Sequence, residues 1–205
     1  MNISYIREYA EKHLTEKRRV HTRGVVSEAV RLAGKYGADP QKAEIAALCH
    51  DLYRGVGKKE LNVMADRLGL DPARYHNNPS LAHGKIAAAV IQEDLGINDP
   101  DIINAVSYHT TGRPGMSQLE KVVFVADAIE PGRDFPGVDR LRAAADRDID
   151  EACLISLEGT AKHVLEQGDY CDPDTLDARD YFVQLLKEKR DGQQTAGSGN
   201  SQSIK

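Results

Sequence analysis

Six side chains of this sequence have the chemistry of metal ligands, and none of them is a thiolate. They are His21, His50, Asp51, His83, His109 and Asp127. Imidazole and carboxylate donors suit iron, manganese, cobalt or zinc in five- or six-coordinate geometry. Such a centre keeps positions open for a phosphate oxygen and for a water whose pKa falls towards neutrality. The set therefore predicts metal-dependent hydrolysis of a phosphate compound.

Taken one at a time, these residues have simpler interpretations. His50 alone could be a buried histidine with satisfied hydrogen bonds, and Asp51 alone could be an acid at a helix end, although an acid there opposes the helix dipole. Asp127 lies among apolar residues 122–126, where an unpaired carboxylate is costly, so a cation is its expected partner. The remaining histidines are interpreted as surface or capping residues: His13, His76 and His163.

Helices must position the ligands, because the sequence shows helix signals and no sustained period-two alternation. Asp39-Pro40, Asp71-Pro72 and Asp99-Pro100 each pair a capping aspartate with a proline suited to the first turn. Small residues at 43, 46 and 47 share a helical face with His50. The predicted helices cover residues 5–17, 19–36, 40–50, 58–68, 81–95, 101–108, 116–129, 150–167 and 175–189. The expected fold class is all-α, a helical bundle whose interior collects the ligands.

Composition and charge exclude several other classes of protein. The formal net charge of −5 leaves no basic footprint for duplex nucleic acid or an anionic membrane. Three scattered cysteines form no CxxC pair, which favours a reducing compartment. The first fourteen residues contain no apolar segment of the secretory type, and no apolar stretch is long enough to span a bilayer. We therefore expect a cytoplasmic protein.

The order of the ligands resembles that of the HD-domain phosphohydrolase superfamily. Longer motifs narrow the resemblance to the YqeK subfamily, the bacterial symmetrical bis(5'-nucleosyl)-tetraphosphatases. They are RRVH at 18–21, AALCHDL at 46–52, HGKIAA at 83–88, HTTGRPGM at 109–116, ADAIEPGR at 126–133 and GDYCDPDT at 168–175. The resemblance covers residues 5–189. It implies an HD-domain phosphohydrolase over residues 1–190, and the Gly-, Ser- and Gln-rich residues 191–205 are expected to form a disordered tail.

This resemblance also implies a substrate and a metal. The substrate would be a small dinucleoside polyphosphate, diadenosine tetraphosphate, cleaved symmetrically to two ADP, and the metal would be iron. The principal metal would be held by His21, His50, Asp51 and Asp127. His83 and His109 would bind a second metal or contact the substrate phosphates. The number of ions, one or two, stays open, as do the oligomeric state and manganese, cobalt or zinc in place of iron.

Several residues are expected to contact the substrate besides the ligands. Asp51 would orient the attacking water, and His83 or His109 could donate a proton to the leaving oxygen if it is free of metal. Arg133 would meet the polyphosphate, and Arg18 would either do the same or belong to a solvated helix face. Arg54 stands where HD proteins often have lysine; it keeps the charge and adds a planar fork. Tyr170 would stack on a base or merely pack beneath the last helix.

Two other functions remain open at this stage. One is an HD phosphohydrolase that acts on another nucleotide, since the metal motif would be shared. The other is a non-catalytic sensor of nucleotides or metals that kept the fold. The complete ligand set argues against a sensor, and the Arg133 turn together with the Tyr170 loop favours the dinucleoside polyphosphate.

Overall fold

A computed structural model describes residues 2–198, with side chains described as far as residue 193. This part of the chain contains helices and no β-strand. The helices are α1 (Ile3–His13), α2 (Glu16–Tyr36), α3 (Pro40–Cys49), α4 (Lys58–Arg67), α5 (Pro72–Tyr75), α6 (Pro79–Leu95), α7 (Pro100–Ser107), α8 (Gln118–Ile129), α9 (Val138–Ala145), α10 (Ile149–Glu166) and α11 (Pro173–Ser198). The predicted all-α fold class is confirmed.

The Asp-Pro pairs begin three of these helices, as the sequence predicts. The carboxylates of Asp39, Asp71 and Asp99 each accept a backbone N–H of the first turn, at 2.8 to 3.0 Å. Each following proline occupies the first helical turn, where its missing N–H costs nothing. A capping box of Ser117 and Glu120 begins α8 in the same way, with each side chain satisfying a backbone N–H of the other residue.

The centre of the molecule is the packing of α2 against α3 and α8. Fully buried alanines supply much of this contact, among them Ala29 and Ala33 of α2 and Ala46 and Ala47 of α3. Small side chains let helix backbones approach closely while the core keeps its density. A smaller apolar cluster around Leu61 and Ile86 joins α4, α5 and α6. The central packing brings the His50 end of α3 beside α2 and α8.

The structure differs from the predicted helices at several places. For the short α5 only its Asp71-Pro72 start was predicted, with no helical range. Helix α9 was not predicted: its N-cap is Gly137, whose φ of +96° requires glycine, and it has no side-chain cap. Helix α1 ends at His13, because Thr15 caps a new helix two residues later. Helix α11 continues to Ser198, past the expected start of the tail at residue 191, and residues 199–205 lie outside the described part of the chain. None of the described helices is both long and apolar enough to cross a bilayer.

Candidate metal centre

His50 and Asp51 lie where α3 ends, and the turn there lets both side chains point to one place. His50 is the C-cap residue of the helix. Its Nδ1 lies 2.7 Å from the carbonyl oxygen of Ala47, which fixes the ring. Asp51 follows in a turn and is 4 % exposed. The sequence prediction that a helix end could aim two adjacent residues at one ion is consistent with this geometry.

Four imidazoles converge on Asp51 through their Nε2 atoms. They come from α2, the end of α3, α6 and the segment after α7: His21, His50, His83 and His109. In three of these rings Nδ1 lies 2.7 to 2.9 Å from a backbone carbonyl, whose oxygen can only accept. In His21 the acceptor is the carboxylate of Glu130, at 3.1 Å. Each Nδ1 therefore carries a proton, and in the neutral form of each ring Nε2 keeps a lone pair that a metal can accept.

The imidazoles form two pairs, and each pair faces one oxygen of Asp51. Nε2 of His21 and Nε2 of His50 are 3.4 Å apart and lie 3.6 and 3.7 Å from Oδ2 of Asp51. Nε2 of His83 and Nε2 of His109 are 3.0 Å apart and lie 3.1 and 4.0 Å from Oδ1. A carboxylate between two pairs of nitrogen donors has the arrangement of a bridging ligand.

Asp127 completes the first of these pairs from α8. Its Oδ1 lies 3.0 Å from Nε2 of His21 and 3.9 Å from Nε2 of His50. Arg133 folds back over this carboxylate: its guanidinium donates to Oδ1 at 2.5 Å and to the backbone oxygen of Asp127 at 2.8 Å. The expectation that a carboxylate among apolar residues needs a cationic partner holds for Asp127, with Arg133 as one such partner.

The surroundings set the charge of these groups. Burial opposes ionisation of Asp51, but His50, His83 and His109 hold the pKa of its carboxyl well below the usual range. Burial, followed by the charges of His83 and His50, lowers the pKa of His109 to about 3. For His21, burial lowers the pKa, but its hydrogen bonds to Asp127 and Glu130 outweigh this and raise it. The centre thus combines ionised carboxylates with an imidazole, His109, that is neutral at pH 7.

These residues fit a metal ion. Because Nδ1 of both His83 and His109 donates to a carbonyl, their Nε2 lone pairs face each other at 3.0 Å. That contact is repulsive unless a positive charge, an added proton or a metal ion, lies against it. Two groups of donor atoms each lie within 4.8 Å of one another: His21, His50 and Asp127, and His50, Asp51 and His109. Nitrogen and oxygen donors of this kind suit iron, manganese, cobalt or zinc.

Three arginines surround the six predicted ligands, which we call the histidine cluster. Arg18 donates to Oδ2 of Asp51 at 2.7 Å, and Arg133 pairs with Asp127. Arg54 is partly buried, and this burial lowers the pKa of its guanidinium. Among the described residues no carboxylate oxygen lies within 4.0 Å of the Arg54 guanidinium, in contrast to the other two. Arg54 is therefore a cation available to an anionic ligand.

A cleft of about 880 Å³ opens from the histidine cluster towards α10. Near the cluster its lining includes the three arginines, His83 and His109. Further out the lining includes Phe135 and Pro136 of the α8–α9 connection, Arg140 of α9 and the exposed face of α10 around Gly159 and His163. Volumes of this order are typical of small-molecule sites. His163, interpreted from sequence as an ordinary surface residue, lines this outer part.

The other predicted residues are placed as follows. Tyr170 lies on the segment between α10 and α11, is 51 % exposed and is not among the residues that line the cleft, so its contact with a base stays a prediction. His13 stacks on Tyr9, and His76 pairs with Asp66 at 2.7 Å, both away from the cluster. Sequence reasoning missed Glu130 and Phe135. Glu130 contacts His21, which lies 109 positions earlier in the chain, and no local sequence signal reveals that contact.

Comparisons with known proteins agree with this geometry. The HD domain family matches residues 18–132. A crystal structure of a predicted HD superfamily hydrolase from Clostridium acetobutylicum, described as involved in NAD metabolism, superimposes with a TM-score of 0.85. It is 40 % identical in sequence, over 90 % of this chain and 98 % of its own. The chain therefore belongs to the HD-domain family.

Curated relatives give a narrower group within that family. The symmetrical bis(5'-nucleosyl)-tetraphosphatase of Bacillus subtilis is 40 % identical over 84 % of this chain and 93 % of its own length. The enzyme of the same name from Halalkalibacterium halodurans is 40 % identical over 93 % of this chain and 100 % of its own length. The resemblance found in the sequence motifs, to the YqeK-like symmetrical tetraphosphatases, is confirmed.

Proposed function

We propose that this protein hydrolyses dinucleoside tetraphosphates symmetrically, converting diadenosine tetraphosphate and water into two ADP. The observation that carries the proposal is the facing pair of imidazole lone pairs at His83 and His109, 3.0 Å apart beside Asp51. A cation is the economical partner for that arrangement, and a metal at the end of an arginine-lined cleft serves phosphate chemistry. The relatives named above supply the substrate class.

The metal site is assigned by its donors. His21, His50, Asp51 and Asp127 would hold one ion, and His83 and His109 would hold a second on the other oxygen of Asp51. We propose iron as the metal, with manganese, cobalt or zinc as substitutes that the same donors accept. When bound, such a metal acidifies water and neutralises charge on phosphoryl oxygens.

Asp51 and the arginines have roles that follow from their positions. The reaction joins a water oxygen to an inner phosphorus and breaks the bridging P–O bond, so that ADP leaves. Asp51, an ionised acceptor, orients the attacking water; because the pKa of its carboxyl is held low, the proton of that water passes to the solvent. Arg54, which has no carboxylate partner among the described residues, binds the tetraphosphate. Arg18 and Arg133 exchange contacts with Asp51 and Asp127 for contacts with phosphate.

The cleft accounts for the second half of the substrate. Attack at an inner phosphorus breaks its bond to the central bridging oxygen and leaves one ADP on each side of that bond, so the site must hold a nucleotide beyond the histidine cluster. Phe135 is 41 % exposed at the outer part of the cleft, and an aromatic face there can stack on a base. Arg140, in the same lining, can meet the outer phosphate of the departing ADP.

Product analysis tests the proposal. The metal-reconstituted protein is incubated with diadenosine tetraphosphate, and the nucleotides are separated by anion-exchange chromatography. We expect ADP as the only product, at two per substrate consumed. AMP together with ATP would mean asymmetric cleavage and would contradict the proposal, as would intact substrate with each of the four metals.

A further inference from the structure

Glu130 is a buried carboxylate at the end of α8 that contacts the histidine cluster from behind. It is 5 % exposed. Its Oε1 accepts from Nδ1 of His21 at 3.1 Å, and its Oε2 accepts from the backbone N–H of Gly132 at 2.6 Å. The carboxylate therefore lies on the side of the His21 ring opposite to Asp127. A hydrogen bond to Nδ1 selects the tautomer whose Nε2 lone pair points at the metal site.

His21 differs from the other three histidines in this contact. His50, His83 and His109 each donate Nδ1–H to a neutral backbone carbonyl. His21 donates to a charged group, and a carboxylate behind an imidazole raises the basicity of the ligand nitrogen. Among the described residues of the site, His21 is thus the one imidazole whose strength as a ligand is set by an acidic side chain, that of Glu130.

Gly24 gives Glu130 the room to reach His21. It lies one turn after His21 in α2, in the middle of a helix, where glycine is unfavourable relative to alanine. A Cβ at this position would lie 2.7 Å from Oε2 and 3.2 Å from Cβ of Glu130, and 3.3 Å from Cδ of Pro131. Any side chain at position 24 would displace the carboxylate or separate α8 from α2.

Arg142 of α9 holds the turn that carries Glu130. Its guanidinium donates to the backbone oxygens of Ile129, Glu130 and Arg133 at 3.2, 3.2 and 2.9 Å. These carbonyls lie at the end of α8 or just after it, where the helix offers them no backbone N–H. The turn is fixed by side-chain donors from another helix, so the carboxylate is held in position before any ligand binds.

From these contacts we infer that Glu130 is a positioning residue of the metal centre, and that Gly24 is the residue that permits its approach. Glu130 fixes the tautomer and ring orientation of His21 and strengthens it as a ligand. The inference rests on the proposed metal centre, and it does not depend on which phosphate compound is the substrate.

The first test measures the affinity for Mn²⁺ alone by isothermal titration calorimetry, with the full-length protein freed of metal. Glu130→Ala is expected to weaken binding about 10- to 100-fold. Glu130→Gln keeps an acceptor for Nδ1–H without the charge, so its affinity should lie between those of the wild type and the alanine variant. Wild-type affinity in both variants would overturn the inference.

Glu120→Gln is the matched control. Glu120 is the other buried glutamate of α8, 2 % exposed, and its carboxylate pairs with Arg113 instead of a histidine. This variant should lose stability and keep the wild-type affinity for Mn²⁺. An equal loss of affinity in Glu120→Gln and Glu130→Ala would show a general effect of disturbing α8 and would also overturn the inference.

A second pair of variants keeps Glu130 itself intact. Gly24→Ala should weaken Mn²⁺ binding and change the visible absorption of the Co²⁺-loaded protein, because the added methyl displaces the carboxylate. Gly34→Ala, in the same helix with no atom within 4 Å of the new methyl, should leave both measurements unchanged. If Gly24→Ala binds Mn²⁺ and Co²⁺ as the wild type does, Gly24 has no such role.

These measurements remain separate from the test of the proposed function. Metal affinity and absorption are read without substrate, so a wild-type protein that gives no ADP would still report on Glu130. Conversely, variants with unchanged metal affinity would remove the role of Glu130 and leave symmetrical hydrolysis standing.

Discussion

Two groups of buried charged side chains in this molecule are built differently. The Asp150 network, formed by Lys121, Asp150 and Lys189, joins α8, α10 and α11. Oδ1 of Asp150 lies 2.7 Å from Nζ of Lys121, and Oδ2 lies 2.5 Å from Nζ of Lys189. Each oxygen has an ammonium group within ion-pairing distance, so the charge of the carboxylate is balanced, although Oδ1 makes no well-directed hydrogen bond to a described residue.

The histidine cluster differs at its nitrogen atoms. Oδ2 of Asp51 has Arg18 as a cationic partner, but the Nε2 atoms of neutral His83 and His109 face each other as two acceptors, 3.0 Å apart. Burial and charge alone do not separate the two groups, since both contain nearly inaccessible carboxylates. Acceptor atoms that face each other do separate the two groups. The Asp150 network has none and stabilises the fold, whereas the histidine cluster has such a pair and is suited to bind a cation.

The largest expected effect comes from Asp51→Ala. This change removes the acceptor between the two imidazole pairs and should reduce ADP formation from diadenosine tetraphosphate below detection. In the presence of a chelator the variant should still fold, with a lower Tm than the wild type, because Arg18 loses its buried carboxylate partner. Chromatography and circular dichroism check the two parts. Substantial activity in this variant would contradict the role of Asp51.

Metal binding at the histidine cluster should stabilise the protein. A metal that binds only the folded state adds about 2.7 kcal/mol at a hundredfold excess over Kd, which corresponds to about 5 to 10 °C in Tm for a chain of this size. Thermal unfolding in EDTA and in Mn²⁺ measures the shift. Asp127→Ala should lose most of it, whereas Asp150→Asn should retain it. An equal shift in all three proteins would place the metal elsewhere.

The contribution of the Asp150 network to stability should depend on pH and not on metal. Burial opposes ionisation of Asp150, but Lys121 and Lys189 lower the pKa of its carboxyl below the usual value. A carboxyl with a depressed pKa in the folded state stabilises the protein at neutral pH, and this contribution is lost as pH falls through the folded-state pKa.

Asp150→Asn should therefore reduce the free energy of unfolding by about 1 to 3 kcal/mol at neutral pH. The difference from the wild type should shrink as the pH falls through the lowered folded-state pKa of the wild-type carboxyl, below the ordinary range for aspartate. Urea unfolding at a series of pH values gives both quantities. A difference that stays constant with pH would mean that the charge of Asp150 does not stabilise the fold.

The smallest expected effect concerns the outer part of the cleft. Phe135→Ala should raise KM for diadenosine tetraphosphate about fivefold, the loss of roughly 1 kcal/mol of stacking on a base, and leave kcat nearly unchanged. Phe135→Tyr keeps the aromatic face and serves as the control. Equal KM values in all three proteins would remove the second nucleotide from this part of the cleft.

Local signals were enough to predict most of the fold. Asp-Pro pairs gave the starts of three helices because a cap and its proline are adjacent in sequence. Helix α9 was missed, since Pro136-Gly137 is typical of a turn and no side chain caps the helix. The extension of α11 to Ser198 was also missed, because Gly- and Ser-rich composition favours disorder.

The candidate ligands were also identifiable from sequence, since their types and order are unusual together. Their supporting contacts were not. The hydrogen bond between His21 and Glu130 joins positions 109 apart, and only the packing of α2 on α8 brings them together. Glycine is unfavourable in the middle of a helix, and only the packing of the Glu130 carboxylate against Gly24 explains this residue in α2.

Anomalous scattering from crystals of the protein grown with Mn²⁺ shows whether the histidine cluster binds a metal ion, because it locates the metal among the side chains. We expect an anomalous peak between Nε2 of His21, Nε2 of His50 and the carboxylates of Asp51 and Asp127. Manganese bound only at other acidic positions, with no peak inside the histidine cluster, would contradict it.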